Sequence, residues 1–97
     1  MPKGYWIAHG TVHDPEAYES YRAANAAPLA EYGGRFLVRG GEQEVAEGEA
    51  RPRTVVIEFP TIEAARACYA SEAYQAAKKI RGPVAESDLV IVEGYDG

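Results

Sequence analysis

Alternation of apolar and polar positions, together with β-branched and aromatic residues, predicts four β-strands in this chain. The expected strands cover residues 5–12, 35–39, 54–59 and 88–95. Gly40-Gly41 closes the second strand, and Pro60 closes the third because proline cannot donate to a strand ladder. Helical patterns fill the two longer gaps between the strands.

The first helical pattern follows the first strand. Asp14 is a good N-cap and Pro15 suits the first helical position, so we expect the helix to begin at one of these residues. Apolar residues then recur at about helical spacing until Gly33-Gly34 ends the pattern. Pro28 lies inside it, where a proline removes a backbone hydrogen bond, and we expect a kink or a break there.

The second helical pattern begins at Thr61, restarts at Ser71 and closes at Gly82-Pro83. The order of elements is therefore βαββαβ. This order is typical of the α+β ferredoxin-like fold, in which helices cover one face of a four-stranded antiparallel sheet. A chain of 97 residues fits one such domain, expected to span residues 1–97.

Side chains alternate between the two faces of a strand, which divides the strand residues into two sets. The set expected to face the helices is Trp6, Ala8, Gly10, Val12, Phe36, Val38, Val55, Ile57, Phe59, Val90 and Val92. The set expected on the other face is Tyr5, Ile7, His9, Thr11, Arg35, Leu37, Arg39, Thr54, Val56, Glu58, Leu89, Ile91 and Glu93. Because this second face is too apolar for water, we expect a homodimer that packs sheet against sheet.

Composition and charge exclude several classes of partner. Fifteen acidic and ten basic residues give a net charge of −5, so no electrostatic footprint for nucleic acid is present. No apolar segment is long enough to span a membrane. The single cysteine, Cys68, has no partner for an internal disulfide and favours a cytoplasmic location. No cofactor motif or metal-ligand spacing occurs, so neither a cofactor nor a metal is expected.

His9, Arg39 and Glu58 fall on the same expected face of the sheet and form the best candidate constellation for chemistry. In a catalytic interpretation, Arg39 holds a carboxylate or enolate while His9 or a desolvated Glu58 moves a proton. In a structural interpretation, Arg39 and Glu58 form a partly buried ion pair, with His9 as a polar neighbour. The sequence leaves both interpretations open.

Tyr18, Tyr21 and Asn25 recur at about one-turn intervals along the first helix. They are candidates to line a ligand pocket between the helix and the sheet. The alternative is that the tyrosines belong to the core and only their hydroxyls reach its rim.

Motifs spread over nearly the whole chain resemble those of one small bacterial family. They are GYWIA at 4–8, DPEAY at 14–18, YGGRFLVRGG at 32–41, RPR at 51–53, IEFP at 57–60, AAR at 64–66 and DLVIVEG at 88–94. The family resembled is DUF1330, a domain of unknown function. The resemblance implies a dimeric α/β barrel, in which two ferredoxin-like sheets pack face to face, and it implies no established activity. The segment 82–84 departs from the expected pattern and leaves the end of the last helix open.

Two functional hypotheses follow. The first is a homodimeric domain that binds a small molecule or serves an accessory role. The second is a cofactor-free enzyme, similar to monooxygenases or isomerases, acting on a small acidic or aromatic metabolite with His9, Arg39 and Glu58 as base, anion clamp and orienting carboxylate. The enzyme hypothesis expects a cavity on the order of a few hundred Å³ that touches His9 and Arg39.

Overall fold

A computed structural model describes residues 2–97 of the chain and confirms the expected order of strands and helices. The second helical segment is divided into two helices. The elements are β1 (Gly4–Val12), α1 (Pro15–Glu31), β2 (Arg35–Arg39), β3 (Arg53–Phe59), α2 (Ile62–Ala70), α3 (Glu72–Arg81) and β4 (Ala85–Glu93). No helix within residues 2–97 is long and apolar enough to cross a membrane.

The four strands form one antiparallel sheet in the order β2-β3-β1-β4, so the two strands at its centre are β1 and β3. This is the ferredoxin-like arrangement that the element order predicts. The helices cover one face of the sheet and leave the other open. We call the latter the open face.

Local capping explains where α1 begins and ends. Asp14 accepts a hydrogen bond from the amide of Ala17 at 3.1 Å, and Pro15 occupies the first turn, as expected. Gly33 has a φ of 77°, the left-handed conformation that ends many helices. The expected break at Pro28 is absent, because α1 continues to Glu31. Pro28 is fully buried within α1.

The hydroxyl of Ser71 joins α2 to α3. It donates to the carbonyl of Cys68 at 2.7 Å and accepts from the amide of Tyr74 at 3.2 Å. One side chain thus satisfies a free group at the end of α2 and another at the start of α3. The restart of the helix at Ser71 is confirmed. The last helix ends at Arg81, and β4 begins at Ala85, earlier than the pattern predicts.

The core lies between the helices and the sheet and is centred on Trp6. The Trp6 indole donates from Nε1 to the carbonyl of Ala65 at 2.9 Å. Its ring contacts Phe59 and Tyr74 with centroid separations of 5.2 and 4.7 Å. Tilted and edge-to-face contacts of this kind add to the stabilisation from burial alone.

The face assignment for β4 is wrong by one residue. Directly opposed residues of an antiparallel pair point to the same face, and Trp6 pairs with Ile91. Leu89 and Ile91 therefore pack towards the helices, while Val90 and Val92 lie on the open face with 57% and 39% exposure. The run of four apolar residues at 89–92 has no alternation from which the face could be inferred.

The face assignment for the end of β2 is wrong because of a bulge between Phe36 and Val38. Beyond it, Val38 pairs with Val56 on the open face, and Arg39 pairs with Val55 on the helix side. An extra residue in one strand reverses the alternation of all residues that follow. The Arg39 guanidinium consequently lies 4.1 Å from the centroid of the Phe36 ring.

Candidate functional site

A cleft of about 40 Å³ lies between α1 and the helix-covered face of the sheet. Tyr18, Tyr21 and Asn25 all line this cleft, so the structure brings together the three residues of α1 that the helical spacing places on one side. His9 and Arg39 also contribute to its wall. Ligand binding by these residues stays a prediction, whereas their convergence is a structural fact.

A wider and more exposed groove of about 340 Å³, which we call the outer groove, adjoins the cleft. Tyr18, Arg22 and Arg53 line both spaces. The outer groove adds apolar surface from Val12 and Pro15. The cleft is too small for a drug-sized molecule, since pockets for such ligands usually enclose about 300–1,000 Å³. It suits a small head group whose body extends into the outer groove.

Four arginines line the cleft, and no aspartate or glutamate does. They are Arg22 on α1, Arg39 on β2, Arg53 on β3 and Arg81 at the end of α3. Among residues 2–97, only Arg22 of these four pairs with a carboxylate, at 2.8 Å from Glu19. The cleft is therefore strongly cationic in a chain whose net charge is −5. A site of this sign attracts anions.

Aromatic rings position the arginines. The Arg53 guanidinium carbon lies 5.5 Å from the centroid of the Tyr18 ring, within the range of a cation–π contact. Gly40 packs directly against the Arg53 guanidinium, and a Cβ at this position would overlap it. Gly40 also has a φ of 70°, a left-handed backbone conformation that favours glycine there.

A hydrogen-bonded cluster holds Arg81 at the inner end of the cleft. The hydroxyls of Tyr21 and Tyr74 lie 2.9 Å apart, and Arg81 Nη1 donates to the Tyr74 hydroxyl at 3.0 Å. Burial raises the pKa of Tyr74 far above the ordinary value for tyrosine, which keeps its phenol neutral. Burial also raises the pKa of Tyr18, and this effect outweighs the opposite effect of Arg53. Tyr18 and Tyr74 therefore do not neutralise the arginines.

Three buried polar atoms have no hydrogen-bond partner among residues 2–97, and all three belong to residues that line the cleft. They are Arg22 Nε, Arg53 Nε and Asn25 Oδ1. Buried polar groups in proteins are nearly always paired, and an unpaired one points to an absent water, ion or ligand. Asn25 is only 5% exposed and is the one buried polar or charged residue among residues 2–97. Two unpaired donors and one unpaired acceptor therefore belong to residues that line the cleft.

Glu58 lies away from the cleft and does not pair with Arg39 as expected. It is opposite Arg35, whose Nε donates to it at 3.0 Å, and it accepts from the Tyr5 hydroxyl at 3.1 Å. Burial alone would raise the pKa of Glu58, but the hydrogen bonds from Arg35 and Tyr5 outweigh it and hold that pKa below its ordinary value. Glu58 is therefore a stable carboxylate on the open face. Arg35 is its partner because the regular register before the bulge places these two residues opposite each other, whereas Arg39 lies four residues further along β2.

The imidazole of His9 also fails to approach Glu58. Its Nδ1 lies 3.1 Å from the Thr54 hydroxyl, and His9 is opposite Thr54 in the sheet. Glu58 is opposite Tyr5, four residues before His9, which corresponds to about 13 Å along the strand. The predicted cluster of His9, Arg39 and Glu58 is therefore not assembled in this chain. Their catalytic role stays a prediction.

Sequence reasoning missed three members of the cleft, namely Arg22, Arg53 and Arg81. They come from three elements separated by about thirty residues each along the chain, and no local motif links them. Only the antiparallel packing of α1 on α3 and the sheet register bring them together. Within residues 2–97, no three His, Cys, Asp or Glu side chains are grouped so that they could hold a metal ion.

Comparison with known proteins places the chain among ferredoxin-like folds. The sequence model of a family described as Domain of unknown function (DUF1330) matches residues 3–95. A protein of unknown function from Rhodopseudomonas palustris superimposes with a TM-score of 0.76 and 18% identity, covering 99% of this chain and 85% of that one. SnoaB, a cofactor-independent oxygenase from Streptomyces nogalater, superimposes with a TM-score of 0.67 and 18% identity, covering 100% and 97%. No curated protein shows significant sequence similarity. Likenesses at these identities show the fold and not an activity.

Proposed function

The chain belongs to the DUF1330 family, and from the geometry of its cleft we propose that it binds a small organic anion. The observation that carries the proposal is the coincidence of four arginines with three unpaired buried polar atoms in one space. A carboxylate accepts charge-assisted hydrogen bonds from guanidinium groups, which are about twice as strong as neutral ones. The bound anion would pair Arg22 Nε and Arg53 Nε.

The dimensions of the two spaces support a ligand with a charged head and an apolar body. A volume of about 40 Å³ accommodates a carboxylate and its neighbouring atoms. The outer groove, with Val12, Pro15 and the ring of Tyr18 in its wall, accommodates an apolar or aromatic body. We propose binding ahead of catalysis, because Glu58 lies on the open face, away from the cleft that Arg39 and His9 line, and the cleft is smaller than the enzyme hypothesis expects.

Titration with phenylacetate and with its neutral counterpart phenylacetamide tests the proposed function. We expect phenylacetate to bind and phenylacetamide to bind at least about tenfold more weakly, because only the anion gains charge-assisted hydrogen bonds. Isothermal calorimetry measures both affinities. Arg66→Met, on the exposed side of α2, is the control and should leave them unchanged. Equal affinities, or no binding of phenylacetate at millimolar concentration, would contradict anion binding.

We also propose that the protein is a homodimer whose copies pack through their open faces. Val38, Val90 and Val92 are exposed by 40%, 57% and 39% on the two edge strands. Ile7 and Val56 lie between them, opposite each other on β1 and β3. A continuous apolar surface of this kind marks an interface rather than a solvated face.

The replacement Val90→Asp tests the proposed dimer. The wild type should have the mass of two chains by light scattering at micromolar concentration, and Val90→Asp should shift it to one chain, because the interface would bury an unpaired carboxylate. Ile80→Asp on α3 is the matched control, since Ile80 is 40% exposed on the helix side. A wild-type mass of one chain, or equal masses for wild type and Val90→Asp, would contradict the proposed interface.

A cytoplasmic location is part of the same proposal. The one cysteine, Cys68, is a free and buried thiol. Burial raises its pKa to about 11, so it is neither a nucleophile nor a redox-sensitive thiolate at neutral pH. These properties fit a protein of a reducing compartment.

A further inference from the structure

We propose that the anion bound in the cleft carries a hydroxyl group on the carbon next to its carboxylate, and that Asn25 recognises this hydroxyl. The inference rests on the proposed anion binding and specifies the class of ligand. The chemistry that fits is a 2-hydroxy carboxylate with an apolar or aromatic body.

Asn25 is the residue that requires more than a carboxylate. It is 5% exposed, and its Oδ1 is buried without a donor. A carboxylate has only acceptor oxygens. A carboxylate oxygen beside Asn25 Oδ1 would therefore be repelled, and Oδ1 would remain without a hydrogen-bond donor. A hydroxyl donates to Oδ1 and can also accept from the amide nitrogen of the same side chain. It therefore pairs the acceptor oxygen of Asn25 that a carboxylate would leave unpaired.

The position of Asn25 relative to Arg22 supports recognition of adjacent groups on one ligand. The two residues are three positions apart on α1, so they are neighbours on the same face of the helix. Arg53 lies across the cleft on β3. The unpaired atoms are two donors and one acceptor, and a 2-hydroxy carboxylate offers two acceptor oxygens and one donor hydroxyl. The numbers and types of groups correspond.

The volume of the cleft limits what can enter it. A cavity needs about 10–15 Å³ to hold one water-sized group, so the cleft of about 40 Å³ admits only the polar head of the ligand. The rest of the molecule would extend into the outer groove.

Charge distinguishes the hydroxyl from an amino group. A 2-amino acid also carries donors next to its carboxylate, but its ammonium group would lie among four arginines with no acidic side chain in the lining. Like charges in a partly desolvated site are strongly unfavourable. A neutral donor is therefore the one that the cleft accepts.

Mandelate, phenylacetate and 2-phenylglycine form a matched series that tests this inference on the wild-type protein. They differ only in carrying a hydroxyl, a hydrogen or an ammonium group at the same carbon. We expect mandelate to bind about tenfold more tightly than phenylacetate, because it pairs the buried Asn25 oxygen that phenylacetate leaves unpaired. We expect 2-phenylglycine to bind more weakly than both.

The variant Asn25→Leu assigns the preference to Asn25. Leucine is close to asparagine in size and has no polar atom, so the ratio of the mandelate affinity to the phenylacetate affinity should fall to less than about twofold in the variant. Thermal unfolding of the variant checks that it is folded. If it is not folded, the comparison of mandelate with phenylacetate on the wild-type protein still tests recognition of the hydroxyl.

Each outcome bears on a different part of the proposal. Phenylacetate and mandelate binding with equal affinity would overturn recognition of the hydroxyl and leave anion binding intact. A preference for mandelate that persists in Asn25→Leu would overturn the role of Asn25. If neither ligand binds, the proposed function itself fails, and recognition of the hydroxyl fails with it.

Discussion

Arg53→Met is expected to weaken binding of phenylacetate by about tenfold to a hundredfold, because the lost charge-assisted hydrogen bond contributes about 1.5–3 kcal/mol. The Arg53 Nε is buried without a partner, and Tyr18 and Gly40 hold the guanidinium in place at the junction of the cleft and the outer groove. Methionine keeps much of the length of the side chain and removes the charge. The free energy of unfolding without ligand should stay equal or rise, because an unpaired donor and a cation next to three others disappear.

Calorimetric titration and urea unfolding of the same samples check both parts of this result. Arg66→Met removes an arginine from an exposed position of α2 and should change neither quantity. Arg53→Lys separates charge from geometry, since lysine keeps the charge and lacks the planar fork. An affinity of Arg53→Met within about twofold of the wild type would show that the cleft does not hold the anion.

Trp6→Ala is expected to lower the free energy of unfolding by about 3–5 kcal/mol, the usual cost of truncating a large buried aromatic residue. Trp6 is 2% exposed at the centre of the core and contacts Phe59 and Tyr74. The truncation also removes the hydrogen bond to the carbonyl of Ala65. A loss of this size is a large part of the total stability of about 5–15 kcal/mol for a small domain.

Urea unfolding followed by circular dichroism measures the effect of Trp6→Ala. Tyr95→Ala is the matched control, because Tyr95 is an aromatic residue with 95% exposure and its truncation should cost less than about 0.5 kcal/mol. If Trp6→Ala costs less than about 1 kcal/mol, the indole is not the centre of the core, and the register that places Trp6 between Ile57 and Ile91 is wrong.

Most of the fold follows from local signals in the sequence. Asp14 and Ser71 mark helix starts through hydrogen bonds that depend only on neighbouring residues, and Gly33 marks a helix end through its backbone conformation. Such signals need no knowledge of distant contacts. The order of the elements then leaves few topologies, and the ferredoxin-like one is correct.

The errors arise where register depends on contacts across the sheet. The apolar run of β4 does not indicate whether Leu89 or Val90 faces the core. The register of β4 against β1 determines which of the two does. The bulge in β2 leaves no mark in the sequence that a regular strand would lack, yet it moves Arg39 from the open face to the cleft. Glu58 pairs with Arg35 before the bulge, where the register is regular.

The candidate site was predicted only where it lies on a single element. Tyr18, Tyr21 and Asn25 share one side of α1, so helical spacing alone brings them together. The cationic character of the cleft depends on arginines from four elements, and the net charge of −5 conceals it. Asn25 had a visible signal, because a polar residue on the apolar side of a helix is costly unless something pairs with it.

The most direct measurement of anion binding in the cleft follows the arginine side chains themselves by NMR. In ¹⁵N-labelled protein titrated with phenylacetate, the Nε–H resonances of Arg22 and Arg53 should shift as their unpaired donors become hydrogen-bonded. The resonances of Arg35, which already donates to Glu58, and of exposed Arg66 should stay in place. Arginine resonances of the cleft that remain unchanged at millimolar phenylacetate, or shifts confined to Arg35 and Arg66, would contradict an anion site between α1 and the sheet.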